Sequence, residues 1–447
     1  MNDNKKLGAT ALLPMIVFLV LYVGCGITFT IMGVESPFGQ FPRHVALLAG
    51  IAVALILVPE LKVSEKLDIF CSGMGNSGVM MIILIYLMAG GFQGAAEAMG
   101  GSRLVVNLSL SLIPARFLIP GVFLMCCFIS TALGTSMGTI AAMAPIAISV
   151  AQGAGLNTPA VCAAVIGGSY FGDNLSMISD TTIAAAQGCG SEMRDKFKMN
   201  FLIALPAAVV AMTIYSFTGG SGGVIEAGSY HLIQILPYIT VLVIAVMGVN
   251  VAVVLFIGIL MTGAIGFTQG TIGFFEWTKA IGSGMSGMFS ISIVSLLISG
   301  IIGLVRYYGG VEWLVNVITS NIKNRRGAEY GIGLLSGILS AALVNNTIGI
   351  IVTCPMAREI GARYKIAPKR LASLVDIFAC AFLVLMPHDG GMMMVTELSG
   401  ASPLSVLRYS FYPVGLLIVT CITIHFGLLR TPEEKAAASV GQIQSKS

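Results

Sequence analysis

The sequence predicts an all-α polytopic membrane fold: about ten transmembrane helices plus two re-entrant hairpins, arranged as two inverted repeats. Three observations predict it. Of 447 residues, 56% are hydrophobic and only 10% charged, with a mean hydropathy of +0.93. No soluble core absorbs that much apolar surface, so lipid is the natural solvent. The Lys and Arg residues thread onto one side of the membrane, and the second half of the chain rereads the first.

Apolar spans lie at about 10–32, 44–59, 78–98, 160–187, 200–217, 231–247, 250–268, 289–305, 371–397 and 404–428. The first follows MNDNKK, is too long for a signal-peptide core and lacks a small-residue cleavage site, so it reads as a retained span. Two further stretches, 121–150 and 331–357, carry polar knots near their middles: Gly134-Thr135-Ser136 and Asn345-Asn346-Thr347. With about a half-membrane length of helix on either side, each reads as a hairpin that leaves by the face it entered. The 54 Gly suit close helix packing and helix breaks. The nine Cys show no metal-ligand spacing and read as small core residues.

The positive-inside rule supports the hairpins. A full span at 331–357 would put Arg358, Arg363, Lys365, Lys369 and Arg370 outside, whereas a hairpin returns them to the cytoplasm. With the N- and C-termini cytoplasmic, 19 of the 24 basic residues then lie inside; only Arg43, Arg103, Arg116, Lys279 and Arg408 lie outside. The formal charge of +4 therefore serves topology, and no nucleic-acid partner is expected.

The repeat is nearly gapless. Ser283-Gly284-Met285 follows Ser72-Gly73-Met74 by 211 positions; Ser340 and Pro355 follow Ser130 and Pro145 by 210. Asn316, Pro368 and Asp389 follow Asn107, Pro159 and Asp180 by 209. Pro237 follows Pro14 at a larger shift, absorbed by an inter-repeat loop near 218–230. The boundaries are 1–225 and 226–447, with scaffold spans to about 105 and about 315 and a hairpin with transport spans after each. Five full spans per half reverse the second copy, the arrangement alternating access uses around a midplane site.

A carboxylate inside the bilayer costs about 2.5–3.5 kcal/mol on insertion scales, so each one needs a reason. Asp173 and Asp180 lie in GGSYFGDNLSMISDTT; Asp376, His388 and Asp389 lie in LVDIFACAFLVLMPHDGG. The first string also offers Ser169, Asn174, Ser176, Ser179, Thr181 and Thr182. Gly167, Gly168 and Gly172 are expected to unwind it, and Pro387 with Gly390 and Gly391 the second string. Unwound carbonyls together with the tips Thr135-Ser136 and Asn345-Asn346-Thr347 form the oxygen set a small hard cation wants. Sodium is the obvious ion, with Asp180, Asn346 and Thr347 as its ligands, and a proton competes for the same carboxylates. Asp173 and Asp180 are the proton-handling candidates, with His388 weighed equally as a satisfied interior histidine. Asp376 reads as a supporting acceptor, and Glu97 and Glu397 as solvated span ends.

Scans for soluble catalysis find no phosphate-binding loop, no HExxH and no paired CxxC, so neither an enzyme nor a cofactor is expected. An intramembrane protease using Asp180 and Asp389 would not require the repeat. A channel suits two closing hairpins less well than a moving barrier does.

YFGDNLSMISDTT, Tyr170 to Thr182, closely resembles the GD-x-LS-x-x-SDTT signature of the NhaC-type sodium/proton antiporter family, and SAALVNNT resembles its second hairpin tip. The resemblance covers most of the chain. It implies sodium/proton exchange by an elevator-like motion, Asp173, Asn174, Ser176, Ser179, Asp180 and Thr181 in the transport helix, a homodimer, and a bacterial cytoplasmic membrane. Asn174 and Met177 stand where Lys and Pro are common in the family, which bears on the cargo. The alternative on the same frame is a sodium-coupled amino-acid or carboxylate carrier.

Overall fold

The computed structural model describes residues 7–34, 38, 40–101, 114–177, 179–218, 232–247, 249–320 and 322–430. Arg103, Asn107, positions 219–230 of the expected loop, and Lys5, Lys6, Lys435 and Lys446 lie outside the described residues. Among the described residues every regular element is a helix.

The first half runs α1 (Leu13–Ile31), α2 (Arg43–Ile56), α3 (Val63–Met74), α4 (Ser77–Ala98), α5 (Ala115–Leu133), α6 (Ser136–Gly153), α7 (Thr158–Leu175), α8 (Asp180–Cys189) and α9 (Met193–Tyr215). The second runs α10 (Leu236–Val246), α11 (Val251–Gln269), α12 (Phe274–Gly287), α13 (Phe289–Tyr307), α14 (Gly310–Ser320), α15 (Arg325–Leu343), α16 (Asn346–Tyr364), α17 (Pro368–Val384), α18 (Gly390–Ser399), α19 (Pro403–Leu407) and α20 (Phe411–His425). Arg325, Asn346, Pro368 and Gly390 open helices 210 positions after Ala115, Ser136, Thr158 and Asp180 do. The local signals recur too. Thr135 and Asn345 both N-cap their helices, and Pro159 and Pro368 sit in first turns, where a missing N–H leaves no bond unmade.

Among the described residues, six helical stretches are long and apolar enough to cross a membrane: Gly8–Ile31, Ser77–Ala98, Ser136–Gly153, Met193–Tyr215, Val251–Gln269 and Phe274–Tyr307. Within the stretch at 160–187 one helix ends at Leu175 and the next begins at Asp180, and the stretch at 371–397 is interrupted at 385–389. Gly167, Gly168 and Gly172 do not unwind α7 as expected; they lie inside it. Gly168 and Gly172 serve close packing, because a Cβ there would overlap the Phe123 carbonyl and Ser130 on α5. The paired arms also exceed the expected half-membrane length: α5, α15 and α16 have 19 residues and α6 has 18. At 1.5 Å per residue each is about 27–29 Å long. The far ends of α15 and α16 adjoin, Arg325 Nη1 donating to Lys365 O at 2.9 Å and Tyr364 Oη to Ile322 O at 3.0 Å.

The halves interlock reciprocally. Helix α12 crosses α4 with Gly284 against Gly90, and α3 crosses α13 with Gly73 against Gly300. These are backbone-on-backbone contacts of the kind small residues permit between membrane helices. A Cβ on Gly284 would overlap the Gly90 carbonyl, so Gly284→Ala is expected to cost about 1–3 kcal/mol through overpacking. A lowered midpoint in a thermal unfolding series in detergent checks this.

Three cations that the sequence reading placed in the cytoplasm are buried. Lys66 Nζ donates to Leu55 O at 2.7 Å, Arg370 pairs with Glu329 at 3.0 Å, and Lys196 pairs with Asp376 at 2.8 Å. Glu329 also takes Arg325 at 3.3 Å, and Arg370 donates to Thr423 Oγ1 at 3.0 Å, so Glu329 and Arg370 together join α15, α17 and α20.

Candidate cation site at two broken helices

The first break places its oxygens through its termini. Helix α7 ends at Leu175, which frees its last carbonyls; Thr181 and Thr182, in the first turn of α8, donate back to Asp173 O at 3.4 and 3.2 Å. Ser176, Ser179, Thr181 and Thr182 are all buried here, and Ser179 Oγ lies 2.8 Å from Thr181 Oγ1.

Each turn between paired arms uses the same local chemistry. Gly134 (φ 71°) and Val344 (φ 49°) turn the chain in the left-handed region, and an extended N-cap follows. Thr135 accepts from Gly138 N at 3.4 Å and Asn345 from Ile348 N at 2.9 Å. The tips then meet the breaks. Ser136 N, at the start of α6, donates to Asp173 Oδ1 at 2.9 Å, a carboxylate at a helix N-terminus. Across the halves, Thr347 Oγ1 donates to Asp180 Oδ2 at 2.6 Å. Helix α8 thus packs on α16, while α18 packs on α6.

Asp173 is buried, but Asp180, expected to be buried with it, is exposed. It opens α8 on the side facing the second tip, so its carboxylate reaches the surface of the break. Asn346 does not reach Asp180; its Oδ1 accepts from Thr347 N at 3.0 Å and its Nδ2 points to Cys380 Sγ at 3.6 Å.

Asp389 belongs to the other break. It N-caps α18, accepting from Met392 N at 3.0 Å, and takes the Tyr170 hydroxyl at 2.8 Å. Helix starts set its counterpart as Ser179, the N-cap of α8, and not Asp180 as the 209-residue shift suggested. His388 lies apart, buried, with Nε2 3.1 Å from Ala341 O and its ring edge-on to Phe18.

Sequence reasoning named Asp376 as a supporting acceptor but missed Lys196 and Asn200, which close the first break with it. Lys196, Asn200 and Asp376 are fully buried, and Asn200 Nδ2 donates to Asn174 O at 2.9 Å and to Asp376 Oδ2 at 2.8 Å. Lys196 sits in the charged run EMRDKFK, which reads as a solvated loop. The apolar residues after it were the only signal that this run opens a buried helix. Glu397, expected to be solvated, pairs with Arg43 of α2 at 2.6 Å.

One space borders the second tip and another lies beside it, the two sharing Gly303 and Arg306 in their walls. A cavity of about 120 Å³ is bounded by Asn76, Tyr86, Ser295, Arg306, Asn345 and Gly390, among others, and a vestibule of about 730 Å³ also has Arg306 in its wall, with Glu312.

Interrupted apolar helices that bring carboxylates, hydroxyls and helix ends together define a membrane protein with an oxygen-lined centre. This chain belongs to the Na+/H+ antiporter family, whose model matches residues 6–220 and 223–430. It is 21% identical to the malate-2H(+)/Na(+)-lactate antiporter of Bacillus subtilis over 93% of this chain and 95% of that one. Its identity to the arginine/ornithine antiporter ArcD of Halobacterium salinarum is 22%, covering 78% of each. To the Na(+)/H(+) antiporter NhaC of Bacillus subtilis it is 31%, over 36% of this chain and 35% of that one. Among solved structures, the Alcanivorax borkumensis YdaH transporter matches with a TM-score of 0.39 at 12% identity, covering 82% of this chain and 88% of that one.

Proposed function

We propose that this chain exchanges sodium for protons by alternating access, with the ion held where the α7–α8 break meets the second tip. The observation that carries the reading is the 2.6 Å bond between Thr347 and Asp180, residues 167 positions apart in opposite halves. A carboxylate and a hydroxyl so placed, with Asp173, Ser136 and Thr181 close behind, are the hard oxygens a small cation takes. A proton competes for the same carboxylates, and that competition is the exchange.

In this reading residues 1–225 and 226–447 are inverted repeats, and α5–α6 and α15–α16 are re-entrant hairpins. The 210-residue register of helix starts and the reciprocal packing of tips on breaks support it. Hairpins and broken helices move as one elevator-like body against α1–α4 and α10–α13, in a homodimer in the bacterial cytoplasmic membrane, with both termini cytoplasmic.

One observation favours a second reading. The cavity beside Asn345 has room for more than a bare ion, and Arg306 on its wall suits a carboxylate, so a sodium-coupled exchange of small carboxylates or amino acids fits the same frame. The relatives named for malate and lactate and for arginine and ornithine give that reading its cargo classes.

Proteoliposomes with a lumenal pH dye decide between the two. Sodium-driven proton movement without organic solute establishes the first; movement only after a carboxylate or amino acid is added establishes the second. Thr347→Val removes a direct oxygen from the site, and a rise of about 10-fold in the half-saturating sodium concentration is expected. An unchanged value in sodium titrations of the variant takes the second tip out of the site.

A further inference from the structure

Lys196 offers the centre a cation of its own. Its Nζ donates to three oxygens from three helices: Asn174 O at the end of α7 at 3.0 Å, Thr182 Oγ1 in the first turn of α8 at 2.6 Å, and Asp376 Oδ2 in α17 at 2.8 Å. A backbone carbonyl, a hydroxyl and a carboxylate at such distances are also what a small monovalent ion selects. The negative end of the α7 dipole faces the same point.

The surroundings hold more acceptor oxygen than one ammonium uses. Asp376 Oδ1, Asn174 Oδ1 and Asn200 Oδ1 are buried and have no hydrogen-bond partner among the described residues. A brace built only for stability is poorly served by such a surplus, since each buried unmade bond costs about 1–3 kcal/mol. Buried ion pairs are in any case weak stabilisers compared with apolar packing. The arrangement is also one-sided. Position 406, 210 residues after Lys196, is a buried valine, and position 166, 210 before Asp376, is a buried isoleucine.

We propose that the Lys196 ammonium is a tethered cation occupying a monovalent-cation position at the first break. The position stays filled throughout the cycle, and the mobile ion is confined to the Asp180–Thr347 side. The inference rests on reading this centre as a cation site, and it makes Lys196 a positioning residue for the exchange.

Lys196→Ala empties the position of three carbons and the nitrogen, the shape of propylammonium. In detergent, this variant is expected to bind one more ²²Na⁺ per chain than wild type, and propylammonium chloride is expected to displace that additional ion. The salt is also expected to restore at least half of the variant's lost thermal midpoint, while choline chloride at equal ionic strength restores none and wild type responds to neither. Wild-type sodium stoichiometry in Lys196→Ala, with no propylammonium effect, overturns the tethered cation while leaving sodium binding at Asp180 intact. Absence of sodium binding in wild type itself instead removes the cation-site reading. Where Lys196→Ala folds only in propylammonium, that selectivity over choline supports the proposal. Failure to fold in either salt, beside a folded Lys196→Met/Asp376→Asn chain with wild-type sodium binding, identifies the pair as a structural brace and overturns it.

Discussion

Asp180→Asn is expected to abolish sodium-dependent flux in proteoliposomes while the protein stays folded. The amide keeps an oxygen for Thr347 Oγ1 to donate to, so the contact between α8 and the second tip survives. The negative charge is lost, and with it the attraction for the ion. Because Asp180 supplies one charged oxygen among several neutral ones, sodium affinity is expected to fall about 10- to 100-fold. On the proposed exchange, flux is expected to fall further than affinity, because an amide cannot carry a proton in the ion's place. Wild-type flux in this variant, measured with the lumenal dye, moves the site elsewhere.

Glu329→Ala is expected to have the largest effect on stability. The carboxylate is buried between Arg370 at 3.0 Å and Arg325 at 3.3 Å, and its loss leaves the Arg370 guanidinium in the interior facing an apolar methyl. Breaking a buried pair from one side costs about 3–5 kcal/mol, far more than the pair adds when intact. A thermal midpoint in detergent equal to that of wild type would contradict this. Thr423, which takes a second Arg370 bond, cannot replace a charge, so the strain falls on the packing of α15, α17 and α20.

Much of the helical frame was legible because its signals are local. A polar knot in an apolar run, an Asn or Thr before a helix, and a Pro in a first turn each act within a few residues, and each recurs 209 or 210 positions on. Asp173 to Thr182 was legible as a polar cluster for the same reason. What was not legible depends on partners far away in the chain. Glycine is the plainest case: Gly168 and Gly172 could equally loosen a helix or let another approach, and only the position of α5 decides for approach. Lys196 is another, since an ammonium in EMRDKFK reads as solvated until Asp376, 180 positions away, is seen beside it. Tyr170 gave no sign of its bond to Asp389 for the same reason.

The two tips share a backbone path but not an energy. Gly134 takes the left-handed turn freely, whereas Val344, β-branched, holds the same region with φ at 49°. A residue of that kind stores about 1–3 kcal/mol and keeps its shape only while its neighbours insist on it. The second tip is therefore a loaded spring and the first a slack one. Two halves with matching helix starts are in this respect unequal, and the tip that touches Asp180 is the strained one.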